Sequence, residues 1–314
     1  MVPRISVVIC TYNRAELLVH CLEALAVQDA PPGAFEVVVV DNKSTDGTES
    51  VAASFAGRVS GLRVVREERQ GLSHARNRGI VEAQSDWIYF VDDDAKATPD
   101  FVGRACALID TVQPQIFGGT FAPWYHYGRP KWFRDAYASS DLRYAHRRVL
   151  PRGQYLTGCN FCVHRALFDR FGLFDPNLGM RGQVVGYGEE TELQRDMQAA
   201  GVPIWFDPGL RVDHVVNSER LNVGWQIGSG WALGRDRVRS GKVSTRPGFL
   251  LVVAATGLGL TFLDGLRNGI RLLVVPGFYR ENWWIETFRK AAKRAAIVYT
   301  ASVGEGRGDA PGRG

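Results

Sequence analysis

Disulfide spacing, glycine-rich nucleotide motifs and a signal-peptide pattern are all missing from this sequence. The five cysteines, at positions 10, 21, 106, 159 and 162, form no spaced framework, which predicts a reducing compartment. The Cys159-x-x-Cys162 pair has no second pair, so we interpret it as two small strand residues packing inward. Neither Gly-x-Gly-x-x-Gly nor Gly-Lys-Ser/Thr follows the first predicted strand, which argues against Rossmann dehydrogenases and P-loop NTPases. With no signal-peptide pattern, we expect a cytoplasmic protein.

Most of the chain carries no excess of positive charge. Residues 1–234 carry 24 Lys and Arg against 27 Asp and Glu, whereas residues 235–314 carry 14 against six. This distribution argues against a nucleic-acid-binding core and predicts a different neighbour for the carboxy-terminal segment. We therefore divide the chain into a folded domain over residues 1–234, a basic helical segment over 235–303, and a glycine-rich tail over 304–314 that we expect to be disordered.

Strand and helix patterns alternate through the first part of the chain. The predicted strands cover residues 4–10, 36–40, 62–65 and 87–91, and the predicted helices cover residues 14–27, 46–55, 71–84 and 98–111. This alternation predicts an α/β fold with a mainly parallel sheet and flanking helices. Ligands bind such sheets at the carboxyl ends of the strands.

Polar residues follow three of these strands, and the most telling of them are three consecutive carboxylates. Thr11-Tyr12-Asn13 ends the first strand, Asp41 the second, and Asp92-Asp93-Asp94 the strand at 87–91. Three adjacent acids repel one another, so a cation is expected beside them, and hard oxygen ligands suit Mg²⁺ or Mn²⁺. In extended chain Asp92 and Asp94 would share one side, with Asp93 turned away. The alternative is a solvated turn leading to Pro99.

Seven segments together resemble family 2 glycosyltransferases of the GT-A fold, over roughly residues 4–216. They are Ile-Ser-Val-Val-Ile-Cys-Thr-Tyr-Asn-Arg at 5–14, Val-Val-Val-Val-Asp-Asn-Lys-Ser-Thr-Asp-Gly-Thr at 37–48, Gly-Leu-Ser-His-Ala-Arg-Asn-Arg-Gly at 71–79, Phe-Val-Asp-Asp-Asp at 90–94, Leu-Thr-Gly-Cys-Asn at 156–160, Phe-Gly-Leu-Phe-Asp at 171–175 and Gly-Tyr-Gly-Glu-Glu-Thr-Glu-Leu at 186–193. The resemblance implies a GT-A type Rossmann-like sheet. It also implies transfer of a sugar, with inversion, from a nucleotide-activated donor, usually with a divalent metal, here Mn²⁺ or Mg²⁺.

The resemblance also assigns roles to individual residues. The nucleotide-sugar would be held by Cys10, Thr11, Tyr12, Asn13, Asp41, Asp92 and Asp93, and the helical Arg76 is expected from its position to meet phosphate. Asp94 would bind the metal, with Asp92 on the same face and His214 at a position that is often a ligand. Glu190 stands where the family has its catalytic base, usually an aspartate. The substitution leaves the choice between Glu189 and Glu190 open.

An aromatic segment interrupts the alternating pattern. Residues 121–155 concentrate aromatic side chains beside glycine and proline, which suits either an acceptor pocket or a packed surface loop. We assign Trp124 from this segment, together with Gly158 and Tyr187 from the matching motifs, to acceptor binding.

The carboxy-terminal segment combines apolar and basic runs. Residues 249–263 are fifteen apolar, threonine and glycine residues, short of the roughly 20 that span a bilayer. Adjacent tryptophans at 283–284 and nearby Lys and Arg suit a segment lying in a membrane interface, so we expect peripheral contact through residues 248–296 at the cytoplasmic face. The alternative is a helical hairpin that packs on the catalytic domain or across a homodimer.

The expected activity is transfer of a single sugar to a glycan or lipid-linked acceptor, in cell-surface or exopolysaccharide assembly. The Gln-x-x-Arg-Trp motif of processive synthases is absent, and no long transmembrane helix is predicted. UDP-, GDP- and dTDP-linked donors all stay open. The alternatives are a non-catalytic nucleotide-sugar-binding protein and a nucleotidyltransferase acting on sugar phosphates. No nucleic-acid partner is expected.

Overall fold

The computed structural model describes residues 2–59, 61–140, 142–180, 188–239, 243–278 and 280–303. The chain forms two compact units, one made of Met1–Trp124 with Ala138–Val215 and the other of Tyr125–Tyr137 with Val216–Gly314. The compositional boundary at residue 234 falls inside a helix, and the predicted division of the chain there stays a prediction. The predicted tail at 304–314 lies outside the described residues.

The first unit alternates strands and helices, as the sequence predicts. Its elements are β1 Ile5–Thr11, α1 Ala15–Ala26, β2 Phe35–Asp41, α2 Thr48–Ser54, β3 Arg63–Arg66, α3 Leu72–Glu82, β4 Trp87–Val91, β5 Ala95–Ala97, α4 Phe101–Val112, β6 Ile116–Trp124, β7 Arg148–Val149, β8 Asn160–His164, α5 Arg165–Phe171, α6 Glu189–Ala199 and β9 Ile204–Val215. Each of the eight elements predicted before residue 112 is found within a few residues of its expected bounds.

These strands form one mixed sheet. Its order is β3-β2-β1-β4-β8-β6-β9-β5, with β7 paired on β9. The pairings from β3 to β4 are parallel, as expected for alternating strands and helices. The later strands bring antiparallel pairings, β4 with β8, β8 with β6, and β9 with β5. The carboxyl ends of β1, β2 and β4 therefore meet at one edge.

Alternate residues of the central strands supply two apolar layers, one on each face of the sheet. Val7 and Ile9 of β1 pack in the layer that includes α1 and α4, while Val8 points the other way, toward α3 and α5. Because helices cover both faces of the sheet, β1 and β2 consist of nearly continuous runs of apolar residues. The two layers hold the strand ends, and hence the polar residues on them, in fixed positions.

The second unit is helical. It contains α7 Val223–Arg239, α8 Pro247–Val274 and α9 Arg280–Ser302. Helices α7 and α9 pack at close range: a Cβ on Gly230 would lie 2.4 Å from the Arg289 carbonyl oxygen, and one on Gly234 would lie 2.1 Å from that of Lys293. Glycine at these positions lets the two backbones approach.

Helix α8 corrects the expected length of the apolar segment. The fifteen apolar residues continue through Asp264, Arg267 and Arg271 to give a helix of 28 residues. Within the described residues this is the one helix long and apolar enough to cross a membrane, judged by length and composition. The helix is longer than its apolar run of fifteen residues because it does not stop at its first charged residues. The side chains of Trp283 and Trp284 lie outside the described residues.

Candidate active site

The loops after β1 and β2 are joined by hydrogen bonds at the polar edge of the sheet. The backbone N–H of Asn13 donates to Ser44 Oγ (2.9 Å), and the backbone N–H of Thr45 donates to Asn13 Oδ1 (2.8 Å). Asn13 has a positive φ of 51°, a conformation that asparagine tolerates better than most residues. Four of the residues expected to hold the nucleotide, Cys10 to Asn13, thus lie at a single fixed strand end.

Asp41 is buried at the end of β2 and already has partners. Its Oδ1 accepts the Ser44 backbone N–H at 2.9 Å, and its Oδ2 accepts Arg66 Nη1 at 3.0 Å. The next residue, Asn42, donates to the carbonyl oxygens of Glu67 and Arg69. The carboxylate is therefore rigidly placed beside the loop after β1, and its predicted contact with the nucleoside stays a prediction.

The acid triplet forms a turn, which corrects the expectation of an extended segment. The Ala95 backbone N–H donates to the Asp92 carbonyl oxygen (3.1 Å), and β5 begins at Ala95. Asp93 and Asp94 are both buried, and Asp93 is not turned away from its neighbour, because one guanidinium group contacts both. Burial, more than the nearby charges, raises the pKa of Asp93 to about 6.

His214 faces Asp92 and Asp94, and its role as a metal ligand stays a prediction. Its Nε2 lies 3.3 Å from Asp92 Oδ2 and 3.1 Å from Asp94 Oδ1. Strand β9 carries it there by pairing His214 with Ala95 of β5, and the Val215 backbone N–H fixes the turn through the Asp94 carbonyl oxygen (2.9 Å). Residues 122 positions apart in the sequence thus meet at one point.

The chemistry of these three side chains fits a divalent cation. His214 Nδ1 lies 3.0 Å from the Val215 carbonyl oxygen, so Nδ1 donates to that oxygen, and in the neutral imidazole the lone pair is on Nε2. A lone pair facing two carboxylates is unfavourable unless a proton or a metal ion lies between them. Asp94 Oδ1 is buried and makes no hydrogen bond within the described residues. Two carboxylate oxygens and one imidazole nitrogen suit Mn²⁺ or Mg²⁺.

Arg14 is the site residue that the sequence reasoning missed. Its Nη1 lies 3.0 Å from Asp93 Oδ1 and 2.7 Å from Asp94 Oδ2. The guanidinium therefore neutralises part of the triplet from the loop after β1. The sequence feature that could have identified Arg14 is its position, since it directly follows Thr11-Tyr12-Asn13 at the end of the first predicted strand.

Arg76 lies on α3 and is almost fully buried. Its Nη1 contacts Glu189 Oε1 at 2.7 Å, and its Nη2 donates to the Gly158 carbonyl oxygen at 3.2 Å. Asp92 Oδ1 lies 3.8 Å from the same Nη2. One arginine thus links the acid triplet to the first turn of α6.

Glu189 and Glu190 open helix α6, where the helix dipole favours acidic side chains. Glu189 is buried against Arg76, whereas Glu190 is half-buried and forms no ion pair within the described residues. Burial and the negative charge of Glu189 raise the pKa of Glu190 to about 7, although Arg76 acts in the opposite direction. A carboxylate with this pKa is suited to proton transfer near neutral pH.

The three residues assigned to acceptor binding do not all lie in the described part of this site. Gly158 lies in this site, since a Cβ there would be 2.7 Å from Arg76 Nη2 and 3.5 Å from Glu190 Cδ. Trp124 ends β6 and packs against the His20 ring, with Lys96 Nζ 3.8 Å above its own ring. Tyr187 lies outside the described residues. Acceptor contact by all three stays a prediction.

Cys159 lies closer to the site than its sequence interpretation suggests. Its thiol, one oxygen of Asp92 and one nitrogen of His214 all lie within 4.8 Å of one another. Burial raises the pKa of the Cys159 thiol well above its usual value, which disfavours the thiolate that a metal requires. Cys162 is buried within β8. We therefore keep both cysteines as packing residues.

Comparison with known proteins decides the family. The model for "Glycosyl transferase family 2" matches residues 6–172, more than half of the chain. This chain belongs to glycosyl transferase family 2. The resemblance drawn from the seven motifs is confirmed, and the nucleotidyltransferase interpretation gains no support.

Relatives of this glycosyltransferase differ in how much of the chain they share. The succinoglycan biosynthesis protein ExoM of Rhizobium meliloti is 29% identical over 293 residues, which cover 88% of this chain and 87% of ExoM. Glycosyltransferase AglE of Haloferax volcanii is 35% identical over 118 residues, 37% of this chain and 39% of AglE. The chain thus matches ExoM over most of its length and AglE over less than half.

The fold of the family 2 glycosyltransferase is also found among solved structures. The mannosyltransferase PcManGT from Pyrobaculum calidifontis, in complex with GDP-Man and Mn²⁺, superimposes with a TM-score of 0.64. The two chains are 21% identical, and the match covers 95% of this chain and 87% of PcManGT. At this identity the likeness concerns the fold, and it agrees with the GT-A architecture expected from the sequence.

Proposed function

We propose that this glycosyltransferase moves a single sugar from a nucleotide-activated donor to an acceptor hydroxyl, with inversion and with a divalent cation. The observation that carries the proposal is the meeting of Asp92, Asp94 and His214 at the carboxyl edge of the sheet. Arg76 connects this cluster to Glu189, the first of the two glutamates of α6. A metal-ligand set and a proton acceptor are the two parts that displacement of a nucleoside diphosphate needs.

Asp92, Asp94 and His214 would hold the cation. When bound, it supplies positive charge that neutralises the developing charge of the departing diphosphate. The Asp93 carboxylate and the loop from Cys10 to Asn13 would bind the ribose and base of the donor. Asp41 lies beside that loop and would accept an N–H or O–H group of the nucleoside. The Mn²⁺ and GDP-Man in the structure of PcManGT support a donor and cation of this kind.

A glutamate at the start of α6 would take the proton of the acceptor hydroxyl. Glu190 has the position and the raised pKa, about 7, that suit a base. The acceptor oxygen would attack the anomeric carbon from the side opposite the diphosphate, so that the configuration inverts in one step. Trp124, Gly158 and Tyr187 are the residues we assign to the acceptor.

The acceptor is proposed to be a growing glycan or lipid-linked sugar at the cytoplasmic face of a membrane. The likeness to ExoM, named for succinoglycan biosynthesis, supports a role in polysaccharide assembly. Helix α8 supports the membrane contact, since Leu258, Phe262 and Leu273 on it are largely exposed. A homodimer that covers the same helix is the competing explanation.

A thermal-shift panel tests the proposal. Wild type and Asp94→Asn are heated with UDP-, GDP- and dTDP-sugars, each with Mn²⁺ and with EDTA. We expect one nucleotide to stabilise the wild type with Mn²⁺ only, because a ligand that binds the folded state raises the melting temperature. Asp94→Asn should lose this shift.

Asp110→Asn is the matched control, because Asp110 is an exposed aspartate on α4 that pairs with Arg4. It should keep the full shift. A donor shift of equal size in EDTA, or in Asp94→Asn, would contradict the proposed metal site. Analysis of the product anomer by NMR with the donor so identified would then test inversion.

A further inference from the structure

Basic side chains of the helical second unit differ in whether they have acidic partners. Lys290 of α9 has two, since its Nζ lies 3.1 Å from Glu286 Oε1 and 3.8 Å from Asp264 Oδ2 of α8. Four other basic side chains form neither an ion pair nor a side-chain hydrogen bond with any described residue: Arg237 of α7 and Arg289, Lys293 and Arg294 of α9. We call these four residues the basic cluster.

Close packing of α7 on α9 brings part of the basic cluster together. Arg289 and Lys293 are one helical turn apart and lie at the contact with α7, where a Cβ on Gly230 would be 2.8 Å from Arg289 Cγ. Arg237 is three residues beyond Gly234, which touches the Lys293 backbone, so it lies on the same side of α7. The helix contact therefore fixes where these basic side chains begin.

The positive charges of the basic cluster act on one another. Burial lowers the pKa of the Lys293 ammonium group, and the charges of the three arginines lower it further. Like charges at such short range destabilise a fold unless a negative charge lies among them. None of the four side chains has an acidic partner among the described residues, so the cluster has the charge that an anion-binding site requires.

Arg294 joins the basic cluster to helix α8. A Cβ on Gly257 of α8 would lie 3.1 Å from Arg294 Cδ, and Arg294 Nη1 is buried without a hydrogen bond to any described residue. A buried charged N–H group without an acceptor is costly, and phosphate oxygens are the acceptors that a guanidinium group binds best. The residue after Gly257, Leu258, is 77% exposed, and Phe262 one turn later is 71% exposed. Exposed hydrocarbon thus lies beside an unsatisfied cation.

We propose that the basic cluster binds the terminal phosphate or diphosphate group of a lipid, whose hydrocarbon chain lies along the exposed apolar side chains of α8. A phosphodiester carries a single negative charge, whereas a terminal phosphate carries about two near neutral pH and a diphosphate carries more, which matches a cluster of cations better. The inference rests on the proposed function in one respect, because a lipid-linked acceptor is a molecule of this class. It names the group of that acceptor that the second unit recognises.

Binding of geranylgeranyl diphosphate in dodecyl maltoside micelles, measured by isothermal titration calorimetry, tests the proposal. EDTA is present throughout, and Asp94→Asn is titrated beside the wild type, so that a diphosphate held by the proposed metal site is not counted. We expect saturable binding to both proteins. Geranylgeraniol and inorganic diphosphate should each bind at least about tenfold more weakly, since each lacks one of the two parts that the site contacts. Equal affinity for either of them would overturn the proposal.

Phosphatidylglycerol at the same mole fraction in the micelles separates a terminal phosphate from the headgroups of an ordinary bilayer. It should bind at least about tenfold more weakly than geranylgeranyl diphosphate, because its phosphate is esterified twice and carries less charge. Equal affinity for the two lipids would overturn the choice of ligand in favour of a charged membrane surface.

Variants of the cluster locate the site. Arg237→Gln and Arg289→Gln should each weaken binding of geranylgeranyl diphosphate by about tenfold or more, since hydrogen bonds between charged groups are the strong ones. Lys290→Gln is the matched control, because it removes the same charge from the same helix at a side chain that already has acidic partners. It should keep the affinity within about threefold. An equal loss in Lys290→Gln would overturn the assignment of the cluster.

Melting temperatures separate ligand binding from a structural role. Without lipid, Arg237→Gln should melt at or above the temperature of the wild type, because Arg237 is exposed and its removal relieves repulsion within the cluster. A lower melting temperature together with weaker binding would mean that Arg237 supports the helices instead. Lipid binding without any donor shift in the nucleotide panel would contradict the transfer reaction alone, whereas a donor shift without lipid binding would overturn this inference alone.

Discussion

Arg14 contacts Asp93 and Asp94 through a single nitrogen atom, on the face of the triplet away from His214. A guanidinium group cannot lose its proton at any ordinary pH, so this positive charge is permanent. Any divalent cation bound by Asp94 must share that carboxylate with Arg14. We therefore expect Arg14 to stabilise the acid turn when no metal is bound and to weaken the binding of a metal ion there.

Arg14→Gln should consequently bind Mn²⁺ more tightly than the wild type. We expect a gain of about tenfold, equivalent to about 1.4 kcal/mol, because a neighbouring positive charge is removed from the ligand set. Electron paramagnetic resonance of free Mn²⁺ at pH 8 measures the affinity. Arg58→Gln, which removes a surface arginine stacked on Phe55, is the control. A weaker affinity in Arg14→Gln would mean that Arg14 orients the carboxylates instead.

Single residues of the site were predictable to the extent that they follow strands. Asp41 and the acid triplet were located from the sequence because strand ends follow apolar runs, whereas His214 was named through the family resemblance. Arg14 was not, since its role depends on a contact with residues 79 and 80 positions away. The difference between Glu189 and Glu190 was also out of reach, because it depends on Arg76 from another helix.

Two adjacent glycines let strand β6 pack closely against strands β8 and β9. A Cβ on Gly118 would lie 2.3 Å from the Asn160 carbonyl oxygen of β8, and one on Gly119 would lie 1.7 Å from the Leu210 carbonyl oxygen of β9. The register between β6 and β9 shifts at this point. Because β9 carries His214, close packing at Gly119 helps to place a predicted metal ligand.

Gly119→Ala should therefore destabilise the first unit and weaken metal binding together. Backbone atoms cannot move aside as a flexible side chain can, so we expect a loss of about 3 kcal/mol or more, the upper end of overpacking effects. Urea unfolding measures the stability, and the Mn²⁺ assay above measures the site. Thr120→Ala, one residue along the same strand, is the control and should change both far less. Equal effects in the two variants would contradict the packing argument.

Eight elements up to residue 112 were predictable because local patterns fix them, whereas the three-residue strand β5 was not predicted. The antiparallel half of the sheet was not, because the partner of a strand is set by contacts distant in sequence, such as β4 with β8. Helix α8 exceeded its predicted length for a different reason. Charged residues end an apolar run. They do not end a helix, because its backbone hydrogen bonds can continue past them.

Charge and exposed apolar surface divide between different parts of the molecule. The net charge is −3 over residues 1–234 and +8 over residues 235–314. The largely exposed apolar side chains of α8 belong to the basic part. Exposed apolar surface together with positive charge is the combination that anionic lipid attracts.

Substitution on α8 should separate lipid binding from self-association. Leu258→Asp with Phe262→Asp is expected to reduce co-sedimentation with phosphatidylserine vesicles by about tenfold or more, since burial of one large apolar side chain is worth about 1.5–3 kcal/mol. Val81→Asp, at an equally exposed valine on α3, is the control and should bind like the wild type. Light scattering without vesicles detects a dimer; a dimer that the double variant dissociates, with no vesicle binding by the wild type, would contradict the membrane proposal.

Strand β9 has a consequence for synthesis of the chain. The acid turn leaves the ribosome long before His214 does, and the last strand must insert between β6 and β5 before the imidazole reaches the carboxylates. We expect a nascent chain that folds its parallel strands early to do so before the proposed cation site is complete. We therefore expect activity to be acquired late in translation, and products that stop before residue 214 should neither bind the cation nor consume activated sugar.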